Sequence, residues 1–136
     1  MNLNPKFKTR DVQKSLYTNY LKRAEECLHS AKISFSNQEW NASTISAIHS
    51  CIAGCDAMCV YFLGKRHAGK DHSSAVTIFK TIGSSEDINK NANRISRILN
   101  IKNIAEYEER LIYRTEAEKI LKNCERFLRY VKKTLP

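Results

Sequence analysis

The chain has 136 residues, a length that suits a single domain. It is 42% hydrophobic and 27% charged, which excludes collagen-like, low-complexity and disordered proteins. With only 4 Gly and 2 Pro it is poor in turn formers, and this favours an all-α fold. No apolar run reaches the ~18–20 residues that a membrane span needs, and residues 1–10 lack the apolar core of a secretion signal. We therefore expect a cytoplasmic protein with no membrane contact.

The net charge is +9, from 23 Lys and Arg against 14 Asp and Glu. Residues 36–64 contain no Lys or Arg at all, so we expect this segment to be buried with the basic charge around it. A basic surface attracts polyanions such as RNA, DNA or an acidic protein. A net charge away from zero also keeps a small protein soluble, and composition does not separate the two roles.

Five cysteines, an odd number without an export signal, favour a reducing compartment. Cys51, Cys55 and Cys59 are spaced by four, which places them on one helical face about 5–6 Å apart. A disulfide requires Cβ atoms roughly 3.8 Å apart. We therefore expect these thiols to be buried small hydrophobic groups, with no metal bound and no cofactor.

The sequence predicts a basic arm over residues 1–10, followed by a single helical domain over residues 11–136. The first half of that domain is expected to contain two helices. Apolar residues spaced by three and four predict a helix from Asp11, its cap, to about residue 35. A second helix, over about 38–63, is expected to be capped by Asn37 and ended by Gly64. It is apolar around most of its circumference, as a central helix would be.

The second half predicts three more helices. Asp71 is expected to cap a short helix to about residue 81, and Ser85 to open a fourth helix that ends near 107–109. Thr115 and Glu118 have the spacing of a capping box, which predicts a final helix to about residue 133. Four long helices and one short one, in sequence, predict an antiparallel bundle.

The final helix carries a basic stripe. One arc of this helix is apolar, and the opposite side carries four cations: Lys122, Arg126, Arg129 and Lys133. A solvated outer face explains such a stripe, and so does binding of an RNA phosphate backbone.

A basic loop over residues 64–72 offers a second cationic cluster. It fits the spacing GxxxxGK, but Asp71 stands where a Mg²⁺-binding Ser or Thr belongs and no strand precedes it, so a nucleotide triphosphatase is excluded. An anion site at the start of the following helix remains, unless Asp71 occupies those N–H groups as an ordinary cap. Its candidate residues are Lys65, Arg66, Lys70 and His72, with His67 beside them.

Two polar residues interrupt the central helix. His49 is interpreted as a buried or interface histidine, with a catalytic role as the alternative. Asp56 is the only acid in the interior of that helix, beyond its first turn, so a Lys or Arg from a neighbouring helix is expected to pair with it. Its surroundings could instead raise its pKa for acid–base chemistry.

Several features together resemble the HEPN-domain family, over about residues 12–133. They are the small-residue central helix, the stretch Ala68-Gly69-Lys70-Asp71-His72 before Ala75-Val76, the segment Lys102-Asn103 with Glu106-Tyr107-Glu108, and Arg126-Phe127 after Ala117. The resemblance implies a bundle of four to five helices that pairs into a homodimer. It also implies RNA cleavage or RNA binding, often in toxin–antitoxin or defence systems, or assistance to a nucleotidyltransferase.

Active members of that family carry Arg, often followed by Asn, and a His four to six residues later in the helix before the last. Here Lys102 stands in place of the Arg, Asn103 is kept, and Tyr107 stands in place of the His. A lysine neutralises a phosphate only as a point charge, and a tyrosine hydroxyl is a poor base at pH 7. Two other pairs have the right spacing, Arg23 with His29 and Arg66 with His72, but not the right place in the chain.

The departure at Lys102, Asn103 and Tyr107 predicts a degenerate catalytic site. We therefore expect a non-catalytic or weakly catalytic RNA-associated module, of the kind that forms half of a toxin–antitoxin or defence pair. The alternative is a protein-interaction subunit of a nucleotidyltransferase, and the third reading is a metal-independent ribonuclease. The expected partners are a second copy of the chain, RNA, and a nucleotidyltransferase or antitoxin.

Overall fold

The computed structural model describes residues 8–69 and 72–136, and these form a helical bundle with one short β-ribbon. The predicted all-α fold is confirmed. The elements in chain order are β1 (Thr9–Asp11), α1 (Tyr17–Ser36), α2 (Trp40–Leu63), β2 (Lys65–His67), α3 (Ser73–Lys80), α4 (Glu86–Asn100), α5 (Lys102–Tyr107) and α6 (Arg114–Thr134). A 3-10 turn, Lys14–Leu16, leads into α1.

Helix α2 is the centre of the bundle, as its composition predicts. It contacts all five other helices, and residues from Ser43 to Val60 are buried around most of its circumference. The expectation that no segment is long and apolar enough to cross a membrane is wrong for this helix by length and composition. Two thirds of its apolar window is buried inside the bundle, however, so the apolar character serves the protein core.

Small residues bring α1 and α2 together. Ala24 and Ala31 on α1 are fully buried, and they leave room for serine side chains of α2 to reach the α1 backbone. The Ser50 hydroxyl donates to the Ala24 carbonyl at 2.6 Å, and the Ser43 hydroxyl donates to the Ala31 carbonyl at 2.8 Å. These buried hydroxyls are thus satisfied while they join the two helices.

Helix α6 packs against both α2 and α1. A Cβ at Gly54 would lie 3.1 Å from the Phe127 ring, so the missing side chain lets α2 and α6 approach closely. The expected burial of Cys51, Cys55 and Cys59 is confirmed, and Cys124 is buried as well. Burial raises the pKa of the Cys124 thiol to about 11, and it raises the pKa of Cys51 as well, so neither is a ready nucleophile.

The β-ribbon departs from the sequence prediction at both ends. Asp11 is not a helix cap, since residues 9–11 pair antiparallel with residues 65–67 and α1 begins only at Tyr17. Part of the predicted arm and part of the predicted basic loop are therefore strands. The ladder joins segments more than 50 residues apart in the chain, and local propensity carries no signal for such a pairing.

Two helix starts also differ from the prediction. Helix α2 begins at Trp40 after Glu39 rather than at an Asn37 cap, because Gln38 takes a left-handed conformation (φ 62°) that a helix cannot include. Helix α6 begins at Arg114, and the carboxylate of Glu116, rather than the pair Thr115 and Glu118, accepts the N–H of Tyr113.

Other predicted boundaries are confirmed or refined. Gly64 ends α2 in the left-handed conformation (φ 70°), and the Ser85 hydroxyl accepts the N–H of Ile88 to cap α4. The predicted fourth helix is divided at Ile101 into α4 and α5, and neither Gly nor Pro marks the break. The proposed cap Asp71 lies outside the described residues, and α3 ends at Lys80.

Candidate functional site

The basic stripe of α6 faces solvent and forms one wall of a groove. Its four cations, Lys122, Arg126, Arg129 and Lys133, are all exposed. The groove between α6 and α4 has a volume of about 590 Å³ and is lined by Asp87, Arg94, Arg126, Arg129, Tyr130, Lys133 and Thr134. Four cations thus meet one carboxylate in this groove, and Lys122 continues the stripe along α6 beyond it.

The cations of this groove differ from other cations of the bundle in their pairing. On the adjacent face of α6, Lys132 pairs with Glu25 at 3.0 Å and Glu125 pairs with Lys32 at 3.4 Å. Within residues 8–69 and 72–136, Arg126, Arg129 and Lys133 make no ion pair. Their positive charge is available to an external anion.

Arg94 is the groove cation that comes from α4. Its Nη1 donates to Oδ1 of Asn91 at 3.0 Å, and Asn91 is itself buried and donates to the carbonyl of Asp87 at 2.9 Å. These two hydrogen bonds hold the guanidinium of Arg94 toward α6. The periodicity of α6 alone does not identify Arg94, because the stripe becomes one wall of a groove only when α4 packs beside α6.

The segment in which the sequence predicts a degenerate catalytic motif lies on α5. Lys102 Nζ is 2.9 Å from Glu106 Oε2, and it lies 5.2 Å from the ring centre of Tyr107. The hydrogen bond that Lys102 donates to Glu106 raises the pKa of Lys102, so the lysine is held charged. Asn103 is exposed, and the Tyr107 side chain is 72% exposed. The three predicted residues share a short helix, but the charge of Lys102 is already neutralised.

His49 joins this cluster from the central helix. Its Nε2 lies 3.7 Å from Glu106 Oε1, and its side chain is 54% exposed, so the interpretation of a buried histidine is wrong. Glu106 therefore lies between two nitrogen donors, one from α5 and one from α2. A phosphate at Lys102 would lie close to the Glu106 carboxylate and be repelled by it, and residue types at the motif positions alone do not predict this.

Asn41 fixes the position of α5 against the start of α2. Its Nδ2 donates to the carbonyl of Ala105 at 3.4 Å, and its Oδ1 accepts the N–H of Ile112 at 2.8 Å. One amide side chain thus ties both α5 and the loop before α6 to the central helix. The Lys102–Glu106 pair consequently has a defined place in the bundle.

The predicted anion-binding residues do not gather in one loop. Lys65 lies in β2 opposite Asp11, whereas Arg66 turns toward α1, where its Nε donates to the Tyr20 hydroxyl at 3.1 Å. Arg66 also donates to the carbonyl of His67 at 2.8 Å. His72 lies with its ring 5.6 Å from that of His67. Lys70 lies outside the described residues.

Arg66 instead contributes to a cleft beside Asp56. One lobe, of about 90 Å³, is lined by Ile52, Asp56, Arg66, His67, Ala68, Gly69, His72 and Ala75. A second lobe, of about 280 Å³, is lined by Tyr20, Arg23, Cys27, His49, Ile52, Ala53 and Asp56. Burial raises the pKa of Asp56 to about 7, against the opposing effects of Arg66 and Arg23. Of the two pairs with Arg-x₅-His spacing, Arg66 and His72 share a lobe.

The other pair is separated. Arg23 lines the larger lobe of this cleft, whereas His29 lines a groove between α1 and α6. No common chemistry joins them. The aromatic ring of Tyr20, which sequence reasoning did not single out, instead lies beside both arginines, 5.2 Å from the Cζ of Arg23 and 6.0 Å from that of Arg66.

Comparison with known families returns one match: the sequence profile described as the HEPN domain fits residues 17–134. The match begins at the first residue of α1 and ends at the last residue of α6. A search of curated proteins returns no match.

Proposed function

We propose that this chain, which belongs to the HEPN family, is an RNA-associated module that binds the RNA phosphate backbone in the groove between α4 and α6. The observation that carries the proposal is the uncompensated charge of that groove, where four cations face one carboxylate. Phosphate groups spaced along a nucleic acid recruit such clusters mainly by electrostatic attraction. Tyr130, half-buried in the same groove, offers a ring on which a base could stack.

The same proposal assigns little or no RNA cleavage to the chain. An active member would need a free cation where this chain has Lys102 and a base where it has Tyr107. Lys102 is instead paired with Glu106. A point charge that already has a carboxylate partner stabilises a phosphate transition state weakly. RNA binding through the α4–α6 groove does not require this site. A role in a toxin–antitoxin or defence pair fits a binding module of this kind.

A protein-interaction subunit is the second candidate function. Its support is an exposed apolar cluster around the loop that joins α5 to α6, where Tyr107, Leu111 and Tyr113 are 72%, 72% and 63% exposed. Exposed apolar clusters of this kind are typical of protein interfaces. A second copy of the chain, giving a homodimer, or a nucleotidyltransferase or antitoxin would cover it, and light scattering on the isolated chain distinguishes a homodimer from a monomer.

Salt dependence tests the RNA proposal directly. If the groove contacts three or four phosphates of a single-stranded RNA, a plot of log affinity against log salt concentration should have a slope of about −2 to −3. Fluorescence anisotropy with a labelled RNA, between 50 mM and 500 mM salt, measures this slope. An affinity that does not change with salt would contradict the proposal, and no binding at 50 mM would favour the interaction subunit.

Charge reversal locates the binding surface. The double substitution Lys122→Glu with Arg126→Glu should weaken RNA binding by ten-fold or more at low salt, with the fold intact because both side chains are exposed. Lys32→Glu with Lys132→Glu makes the same change of charge on the face where both lysines are already paired, and it serves as the matched control. Equal losses in the two double variants would show net charge alone to be responsible.

A further inference from the structure

We infer that the cleft between α1, α2 and β2 binds a terminal phosphate monoester, with Arg23 and Arg66 as its cationic contacts and the Asp56 carboxyl group as a hydrogen-bonding contact. This site is separate from the α4–α6 groove, with which it shares no lining residue. Of the four residues that the sequence predicts for anion binding, Arg66 is a proposed contact and His72 also lines the cleft.

The first support is the arrangement of the two arginines. Their guanidinium carbons both lie within about 6 Å of the centre of the Tyr20 ring, and Arg66 is anchored there by its hydrogen bond to the Tyr20 hydroxyl. One ring thus holds two cations at the edge of the same cleft, although each comes from a different element. Two guanidinium groups match the two charges and the several acceptor oxygens of a phosphate monoester.

The second support is the relation of these arginines to Asp56. Both are close enough to lower its pKa, yet within the described part of the chain neither forms a salt bridge with it. A half-buried carboxylic acid that keeps its proton up to about pH 7 is able, below that pH, to donate a hydrogen bond to a phosphate oxygen. The gap between acid and guanidinium groups is where an anion would be accommodated.

The third support is the shape of the cleft. Its two lobes share Ile52 and Asp56, so they adjoin at that point of α2. The phosphate would lie where the two lobes join at Asp56, with Arg66 lining the small lobe and Arg23 the larger one. The small lobe, of about 90 Å³, has little room beyond that phosphate, which favours a terminal group over a phosphate within a chain. The larger lobe, of about 280 Å³, includes the apolar walls of Ile52, Ala53 and Cys27 and would hold the organic part of the ester.

Affinity should depend on pH because ionised Asp56 repels the bound anion. The groups that face Asp56 are Tyr20, Cys27 and Arg23 from α1, His49 from its own helix, Arg66 and His67 from β2, and His72 before α3. A phosphate monoester becomes a dianion above pH ~6, whereas Asp56 loses its proton near pH 7. Binding should therefore be strongest between these two values and weaken as the pH rises further.

Titration of the full chain with inorganic phosphate, followed by amide NMR shifts or calorimetry, tests the site. Arg23→Gln should weaken binding at least five-fold at pH 6.5. Lys22→Gln, the same change of charge at the adjacent exposed position, should leave it unchanged. Asp56→Asn should strengthen binding at pH 8.5 at least five-fold, because the neutral amide removes the repulsion. Equal affinities for the native chain and Arg23→Gln, or no gain in Asp56→Asn at pH 8.5, would overturn the inference.

Arg66 also braces the ribbon, so Arg66→Lys, which keeps the charge, accompanies Arg66→Gln, and circular dichroism confirms that each variant is folded. Phosphate binding that persists unchanged in a folded Arg66→Gln would overturn the inference.

RNA oligomers with a 5′-phosphate, compared with the same oligomers ending in a hydroxyl and with a small sugar phosphate, identify the source of the group. All of these titrations are repeated in Arg126→Glu with Arg129→Glu, where phosphate binding should remain even if RNA backbone binding is lost. Loss of phosphate binding there would place the anion in the groove and overturn the inference.

Discussion

Two regions of the molecule carry basic residues that suggest RNA chemistry, and they differ in what surrounds each cation. In the α4–α6 groove, Arg126, Arg129 and Lys133 stand exposed without a carboxylate partner in the described structure. On α5, Lys102 occupies the place of the family's catalytic arginine, but Glu106 lies 2.9 Å away. The comparison teaches that the position of a cation in the sequence is a weaker guide to anion binding than its nearest carboxylate.

The largest expected effect tests the groove as a unit built from two helices. Arg94→Glu combined with Arg129→Glu places a reversed charge on each wall, and we expect RNA affinity at 50 mM salt to fall by about 100-fold. The control is Arg97→Glu with Arg129→Glu, since Arg97 is exposed on α4 outside the groove lining. If both double variants lose affinity equally, the binding surface is the stripe of α6 alone.

The pair between Arg110 and Glu116 contributes to the stability of the fold. Glu116 accepts two hydrogen bonds from Arg110, at 2.8 and 2.9 Å, and also caps α6 at the N–H of Tyr113. Arg110 and this N–H lower the pKa of Glu116 from 4.5 to about 2. Glu116→Gln should lower the free energy of unfolding at pH 7 by about 0.5–1 kcal/mol, because it removes the charge that pairs with Arg110 and leaves a weaker, neutral acceptor for the N–H of Tyr113.

The effect of Glu116→Gln on the free energy of unfolding should depend on pH. Because the folded pKa of Glu116 is depressed, its ionised form stabilises the protein above pH 4.5, and this contribution disappears as the pH falls toward 2. Urea unfolding of the native chain and of Glu116→Gln should therefore converge in this interval. Glu118→Gln, on the same helix, is the matched control and should run parallel to the native chain.

The α5 cluster itself is tested by releasing Lys102. Glu106→Gln removes the carboxylate that neutralises the lysine, and RNA affinity should rise about two- to five-fold at low salt as a new cation becomes available. Lys102→Ala should leave the affinity of the native chain within about two-fold. A large loss in Lys102→Ala would show that the lysine contacts RNA in spite of Glu106, and would contradict the comparison.

The smallest effect concerns the ion pairs between α1 and α6. Lys132→Met removes the contact with Glu25, and Lys32→Met removes the contact with Glu125, both on half-exposed or exposed side chains. Each should lower the free energy of unfolding by at most about 0.5 kcal/mol, because solvent screens such pairs. Chemical denaturation measures this change, and a loss above about 1.5 kcal/mol in either variant would show that these pairs hold α1 against α6.

The RNA affinity of Lys132→Met and Lys32→Met tests whether the paired cations between α1 and α6 also contribute to binding. Neither lysine lines the α4–α6 groove, so RNA affinity should change less than two-fold in each. A loss comparable to that of the groove variants would extend the binding surface onto the face between α1 and α6.

Local pattern determined much of what this chain is. Spacing by three and four identified the helices, since periodic apolar residues bury one face whatever their partners are. The cation-free composition of residues 36–64 marked α2 as the central helix, and the cysteines on it are buried as their spacing predicted. Gly64 and Ser85 were read correctly because an αL stop and an N-cap are decided within a few residues. The exposure of Lys122, Arg126, Arg129 and Lys133 followed from the same periodicity.

Tertiary structure alone decided the features that depend on distant residues. The pairing of residues 9–11 with 65–67 replaced a helix cap and a loop with strands, because backbone hydrogen bonds between remote segments leave no local pattern. Arg94 joined the stripe of α6, His49 reached Glu106, and Tyr20 gathered Arg23 and Arg66 beside Asp56 only when the helices packed. Charge is visible in a sequence, but whether a charge is compensated depends on distances between side chains, and only the folded chain sets those distances.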